Sequence, residues 1–483
     1  MGIFSKTVRA TLNGGAAPQS DGPGDPIVDW TTGGAARWMI DASGCLVIAP
    51  LEGEESGELE DWREFDKAPW HGKSSSIISA KIEGAIAIST ATGMFFGCSS
   101  LESLDLSGLD ASKVEDMSGM FFGCSSLESL DLSGLDASSV EDMFCMFHGC
   151  KSLTSLDLSG LDTSNVTRMS EMFKGCSRLT SLDLSGLDAS SAEDMSYMFY
   201  GCSSLESLDL SGLDASSTKV MTCMFEGCAA LTFLDLSGLD ASSAKVMTSM
   251  FYGCSSLKFL DLSGLDTSSA EDMSYMFWDC SSLKFLDLSG LDASSAKVMT
   301  SMFSGCSSLK FLDLSGLDTS SAEDMYFMFE GCSGLRTVVL GAAFSFRGYD
   351  YLPTPRGESL TGKWLSSADG KAYAPEAVPN NVAATYTAQT EADISDAAIS
   401  GTPAKMTATG SQLAPEPAVT FNGERLVEGR DYIVSYGKNV EPGAGAGSVT
   451  VSATKGGNFT GFVTVFFDIE KKITFPDVDY DND

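Results

Sequence analysis

Residues 98–123 read C-S-S-L-E-S-L-D-L-S-G-L-D-A-S-K-V-E-D-M-S-G-M-F-F-G, and at Cys124 the phrase begins again. From Cys98 to Cys332 the cysteine recurs in nine steps of 26 residues. A fixed period in the twenties marks a solenoid, because so short a unit cannot bury its apolar face alone and must share a core with its neighbours. Within one copy, Leu104 and Leu106 face one way and Ser103 and Asp105 the other, which is a short half-buried strand. Ser107-Gly108 ends it, and Leu109 plugs the core after the bend. Ser112 with Glu115 three residues on is a capping-box pattern. Val114, Met117, Phe121 and Cys124 follow at helical spacing, with Gly123 as the stop.

The expected fold class is therefore α/β: a leucine-rich-repeat solenoid of period 26, strand plus short helix per repeat, followed by a small all-β sandwich. Stacking aligns Leu104, Leu130, Leu156 and their successors to Leu312, and Phe95, Phe121, Phe147 and their successors to Phe329, with methionines at Met120, Met146, Met172 and onwards. The strands are expected to form a parallel sheet on one face, with helices covering the other. Ten of the thirteen cysteines are copies of one repeat position, with side chains pointing the same way, and read as buried thiols rather than bridges. Cys145 and Cys223 fall elsewhere in the repeat, and Cys45 lies outside it.

The expected divisions are a flexible N-terminal segment 1–32, an N-terminal β cap 33–88, the solenoid 89–340, an irregular flap and linker 341–400, a β-sandwich 401–472 and an acidic tail 473–483. In the cap, Arg37 to Ile48 reads as a hairpin, and Trp38, Trp62 and Trp70 are expected to plug the open end of the stack. Late in the chain, Ala418-Val419-Thr420-Phe421, the turn Asn422-Gly423, Tyr432 to Tyr436, Ser448 to Val451, the turn Gly456-Gly457-Asn458 and Phe462 to Ile469 read as strands and turns of the sandwich.

The 483 residues are 43% hydrophobic and leave room for two or three domains. A formal net charge of -36 argues against a nucleic-acid backbone or an anionic membrane surface as partner. No apolar run is long enough for a membrane span. The first residues show neither a signal peptide nor, with Lys6 at the sixth position, the myristoylation pattern, and the acidic C-terminal tail shows no anchor.

The repeat LxxLDLSxxDxSxVxxMxxMFxGCxS resembles the BspA-like bacterial surface leucine-rich repeats over about residues 89–340, and Thr163 to Phe173 is almost that family's consensus. Trp38 and Pro69-Trp70 resemble its lead-in. Residues Ala404 to Lys472 resemble an Ig-like surface module through Asn422-Gly423, Leu426, Gly429, Asp431-Tyr432, Val434-Ser435-Tyr436 and Asn458-Phe459-Thr460-Gly461. The resemblance implies export to the bacterial cell surface or beyond, adhesion or host-matrix binding, and no catalysis.

A partner is expected on the strand face. The column of Ser103, Ser129, Ser155, Ser181 and Ser207 switches to Phe233, Phe259, Phe285 and Phe311. Lys258, Lys284 and Lys310 stand just before it, and Asp235, Asp261, Asp287 and Asp313 just after. An aromatic stripe beside an acidic one suits a protein or glycan ligand, host or extracellular matrix included. The alternative is a structural protein that self-associates through the same stripe, or a stripe hidden under the C-terminal flap. The Asp105-to-Asp313 and Asp110-to-Asp318 ladders are expected to close Asx turns, most of all the second set. Calcium between neighbouring carboxylates suits their oxygens, but no D-x-D-x-D-G loop supports it, so no metal site and no cofactor are assigned. No catalytic residues emerge either. His71 follows Trp70 in a loop, and His148 lies beside Cys150 only through the accident of the repeat.

Overall fold

The structure, a computed structural model, describes residues 30–471 except Ser289, Tyr349, Glu358 and Gly456. Most of the expected flexible N-terminus, the acidic tail and part of the Gly456-Gly457-Asn458 turn lie outside the described residues.

One continuous apolar core runs from Ala36 to Ala388. Its spine is the phenylalanine ladder. Rings from Phe95 to Phe329 stack with centroids 5.5–5.8 Å apart and planes within 12° of parallel. Offset stacking of this kind adds to the burial of each ring. Every one of the ten period cysteines is buried and unbridged. From Cys124 onwards each thiol donates to the phenylalanine carbonyl 29 residues earlier, as Cys150 does to Phe121 at 3.2 Å and Cys332 to Phe303 at 3.0 Å. A small apolar side chain with a weak donor fills that niche and adds a second bond to a buried carbonyl that already accepts a backbone N–H, as Phe121 does from Cys124.

The expected helix of each repeat is not formed. Among the described residues the helical segments are short 3-10 turns outside the repeats: His71–Ser76, Pro375–Ala377 and Ile394–Asp396. Where a helix was expected, the chain makes successive tight turns: Met120, Phe122 and Cys124 each donate to the carbonyl three residues back, at 3.0–3.2 Å. The N–H groups in between leave the coil. Met117, Gly119, Phe121 and Gly123 donate to Asp142, Phe144, Met146 and His148 of the next copy, at 2.7–2.9 Å. An α-helix would keep those groups to itself, and four to eight residues make a poor helix in any case. Alternating left-handed residues enforce the turns. Gly119 and Gly123 have φ of 59° and 73°, and later copies hold even Glu171, Tyr197 and Phe327 at 60°, 58° and 62°. The capping box fails with the helix: the Ser112 hydroxyl donates instead to Asp110 at 2.6 Å.

This turn wall carries a test. Gly227 has φ 74°, and an added Cβ would touch only Gly201 at ordinary contact distance, so backbone strain alone opposes a side chain. Gly227→Ala is expected to lose about 1–2 kcal/mol, read as a shift in the urea midpoint. An unchanged midpoint would show the turn tolerates L side chains as freely as Asp279, which holds the equivalent place at φ 57°.

The strand wall is looser than expected. Parallel pairing joins Ser207–Asp209 to Phe233–Asp235, Phe259–Asp261 to Phe285–Asp287, and Phe311–Leu314 to Thr337–Leu340. Among the described residues no ladder pairing joins Phe285–Asp287 to Phe311–Leu314, so the sheet comes in pieces while the turn wall stays continuous.

Both ends of the stack are covered. The hairpin of Ala36–Ile40 and Cys45–Pro50 continues in parallel through Ser79–Ile82 to Ser103–Asp105. Beneath it Trp70 meets Trp38 and Trp62 edge-on at 6.0 and 5.9 Å and faces Phe95 at 6.4 Å. The indole N–H groups of Trp62 and Trp70 donate to the Thr92 and Met94 carbonyls. At the other end the segment read as irregular is ordered. Ala384–Thr390 pairs antiparallel with Thr337–Leu340, Leu360–Ser366 extends that sheet, and Trp364 and Tyr386 are fully buried in the solenoid core. A parallel strand with an open edge invites aggregation, and this cap closes it.

Beyond it lies a strand-rich region. Tyr432–Tyr436, Gly443–Ala453, Phe462–Glu470 and Lys405–Thr407 form one sheet, and Ala398–Ser400, Ala418–Phe421 and Glu424–Arg425 another. Residues of both meet in a small core of Ile394, Val419, Leu426, Tyr432 and Val451. The Asn422-Gly423 hairpin turn has both residues left-handed, at φ 49° and 84°.

Candidate functional site

The strand face places the aromatic stripe in the open. Exposure runs from 56% at Phe233 to 38% at Phe311, so the C-terminal cap does not cover it. Phe259 and Phe285 stack at 5.5 Å, matching their paired strands. Between the unpaired copies the wall parts into a groove of about 370 Å³ lined by Phe285, Leu286, Asp287, Leu288, Phe311 and Asp313. Lys258, Lys284 and Lys310 are exposed along one margin, and Asp261 and Asp313 along the other, with Asp235 and Asp287 half-buried.

The aspartates are rigid. Asp235, Asp261 and Asp313 each accept the N–H of the serine two residues on, at 2.8–2.9 Å. The Ser263 N–H, then its hydroxyl, holds the Asp261 carboxyl below the usual carboxylate range. Asx turns thus close both aspartate ladders, not chiefly the Asp110 set, and a third column at Asp116, Asp142, Asp194, Asp272 and Asp324 does the same. One oxygen of each, Oδ1, accepts a turn N–H, which helps like charges recur along the stack.

Two features of the opposite, turn wall escaped the sequence reading. The first is a second aromatic column. Phe65, Phe96 and Phe122 stack and meet His148, and further along Tyr252, Tyr275 and Trp278 cluster with centroids 5.1 Å apart. The second is a convergence of Cys145, His148 and Glu171, whose ligand atoms all lie within 4.8 Å of one another. Among the described residues this is the place where three such groups meet. Reading the repeat in columns would have found it, since Glu171 stands 26 residues after Cys145. His148 and Cys150, two positions apart in sequence, are parted: the Cys150 thiol points into the core.

No helix among the described residues is long and apolar enough to cross a membrane. No curated protein matches the chain. Among solved structures it is similar to a leucine-rich repeat protein from Eubacterium ventriosum, at 15% identity over 62% of this chain and 92% of that one, TM-score 0.28. It is also similar to the T. pallidum leucine-rich repeat protein, at 18% identity over 44% and 83%, TM-score 0.22. A Leptospira interrogans leucine-rich repeat protein follows at 14% over 60% and 82%, TM-score 0.15. With superpositions this loose, the solenoid stands on its own ladders. The family described as "Mycoplasma protein of unknown function, DUF285" matches residues 89–207, 152–259, 179–284 and 245–340. These overlapping stretches span the repeat region and together take in just over half of the chain, which places this protein in the DUF285 family.

Proposed function

We propose that this chain is a non-catalytic, BspA-like repeat protein, exported to the bacterial surface or beyond, that binds a protein or glycan partner through the strand face of its solenoid. The stacked, solvent-exposed Phe259–Phe285 pair beside the Phe285–Phe311 groove carries this reading. Exposed aromatics on a rigid backbone lose little entropy on binding, which is why they dominate contact energies. The lysine and aspartate margins add polar contacts that orient a ligand. In this reading the N-terminal region 33–88 and residues 341–400 cap residues 89–340, and residues 401–472 act as an Ig-like spacer.

The test is full-length protein on immobilised matrix proteins and a glycan array, with and without calcium. Phe285→Asp is expected to reduce the strongest signal by at least about 10-fold while leaving the circular dichroism unchanged. A signal indifferent to the change would sink the strand-face assignment. The same exposed stack favours a second reading, homotypic assembly. Mass by light scattering that rises with concentration in the wild type but not in Phe285→Asp would select it.

A further inference from the structure

The turn wall holds a group of side chains that neither the apolar stack nor the strand face explains. Cys145 and His148 sit three residues apart in one tight turn, the His148 N–H bonded to the Cys145 carbonyl at 3.0 Å. Glu171 occupies the Cys145 position of the next copy, held there by its N–H to Ser196 at 2.9 Å. Left-handed backbone at both, φ 58° and 60°, turns the thiol and the carboxylate towards the same point. The Cys145 thiol is 3.6 Å from Glu171 Oε2 and His148 Nδ1 is 3.1 Å from it. That Nδ1 is buried and makes no hydrogen bond despite the short distance, because its geometry is wrong for one.

We propose that Cys145, His148 and Glu171 form a binding site for a zinc-class divalent cation. A thiolate, an imidazole and a carboxylate are the donor set that borderline-soft cations take, whereas calcium and magnesium prefer oxygen alone. Zinc bonds of about 2.0–2.3 Å imply tetrahedral edges of about 3.3–3.8 Å; the Glu171 oxygen already lies 3.6 Å from the thiol and 3.1 Å from the imidazole, and all three ligand atoms are within 4.8 Å of one another. The imidazole geometry that fails as a hydrogen bond is no obstacle to a shared metal. Cys145 is closed from solvent, but His148 and Glu171 side chains are 23% and 21% exposed, leaving the outer corner of the tetrahedron for water. On binding, the thiol proton passes to solvent as sulfur takes the metal. Lys174 Nζ now lies 3.2 Å from the same Glu171 oxygen, and the faces of Tyr197 and Tyr200, 4.7 and 5.2 Å away, give it another seat.

The chain contains its own control. Cys223 occupies the Cys145 position three copies on, with the same left-handed φ of 56°, but Glu226 stands where His148 does and Ser249 where Glu171 does. The experiment titrates reduced, chelator-treated full-length protein with Co2+ and follows its absorption. One equivalent should give a thiolate-to-cobalt charge-transfer band with the intense visible bands of four-coordination, bleached by Zn2+. Cys145→Ser should abolish the charge-transfer band and His148→Ala should weaken binding at least about 10-fold. Cys223→Ser and Cys45→Ser should leave both intact. Circular dichroism of each variant separates loss of the site from loss of the fold. A wild type without the band, or a band that survives Cys145→Ser or disappears with Cys223→Ser, would overturn the proposal.

Discussion

Phe225→Ala will lower the stability of the solenoid by about 3–5 kcal/mol, against less than about 0.5 kcal/mol for Phe233→Ala eight residues away. The two rings stand on opposite walls and differ in burial and in ring partners. Phe225 is fully buried between Phe199 and Phe251, at 5.5 and 5.7 Å, whereas Phe233 is 56% exposed. Removing the first forfeits the transfer of a whole aromatic ring from water and both stacking partners. It also leaves a void that the neighbours cannot fill, because each is locked to its own coil by ladder bonds such as Phe225 N–H to Met250 at 2.9 Å. The stack is close to one-dimensional, so a defect at its middle weakens the coupling between halves. Urea unfolding followed by circular dichroism should show the midpoint fall and the transition broaden or split. A single transition with an unshifted midpoint would mean the ladder is not the source of cohesion.

Asp350→Asn will stabilise the protein near pH 8 and remove a pH dependence that the wild type shows between about pH 4 and 7. Burial pushes the Asp350 carboxyl up to about 7, against the pull of the Met328 and Tyr351 backbone N–H groups, and the charge of Asp324 adds to the rise. Its Oδ2 has no hydrogen-bond partner. The sign follows from linkage. A carboxyl whose folded value is raised favours the fold fully below its unfolded value, near 4, and that contribution is lost as pH climbs through 7. A rise from the ordinary value to about 7 corresponds to at most about 4 kcal/mol, less whatever relaxation of the cap recovers. The serine-bonded aspartates act oppositely. Asp209 and Asp261 are held low, so their contribution is lost only as pH falls below the ordinary carboxylate range. Subtracting variant from wild-type urea midpoints at pH 4.5, 6 and 8 isolates Asp350. A difference that does not grow with pH would refute the assignment.

The period made the core legible. Leucine, phenylalanine, methionine and cysteine columns needed only the assumption that copies stack in register, and the stacked, buried rings show that they do. Two leucines mark where the strand wall is thinnest: Leu104 and Leu130 are only partly buried. The helix was misread because Val114, Met117, Phe121 and Cys124 have a spacing that successive three-residue turns satisfy as well as a helix does. Gly119 and Gly123, four apart, were the available warning, but later copies carry cysteine, glutamate or tyrosine in the first of those places and hide it. The cap after residue 340 was illegible for a different reason. Ala384–Thr390 pairs with a strand some 47 residues earlier, and nothing local in A-T-Y-T-A-Q-T names that partner. The stripe of Phe233 to Phe311 could be seen in the sequence, but the groove beside Phe285 depends on a missing pairing that only coordinates reveal.

The interlocked turn wall has a consequence for lineage as well as for strength. Each coil receives bonds on one side and passes on the same set from the other, in one unvarying pattern from Gly93 to Gly305. Excision or duplication of a whole 26-residue unit therefore leaves every junction of a kind already present. The tryptophan plug and the antiparallel closing strand fix where the solenoid ends, while its length remains a dial that unequal recombination can turn, adding to or subtracting from the strand face without a new kind of junction.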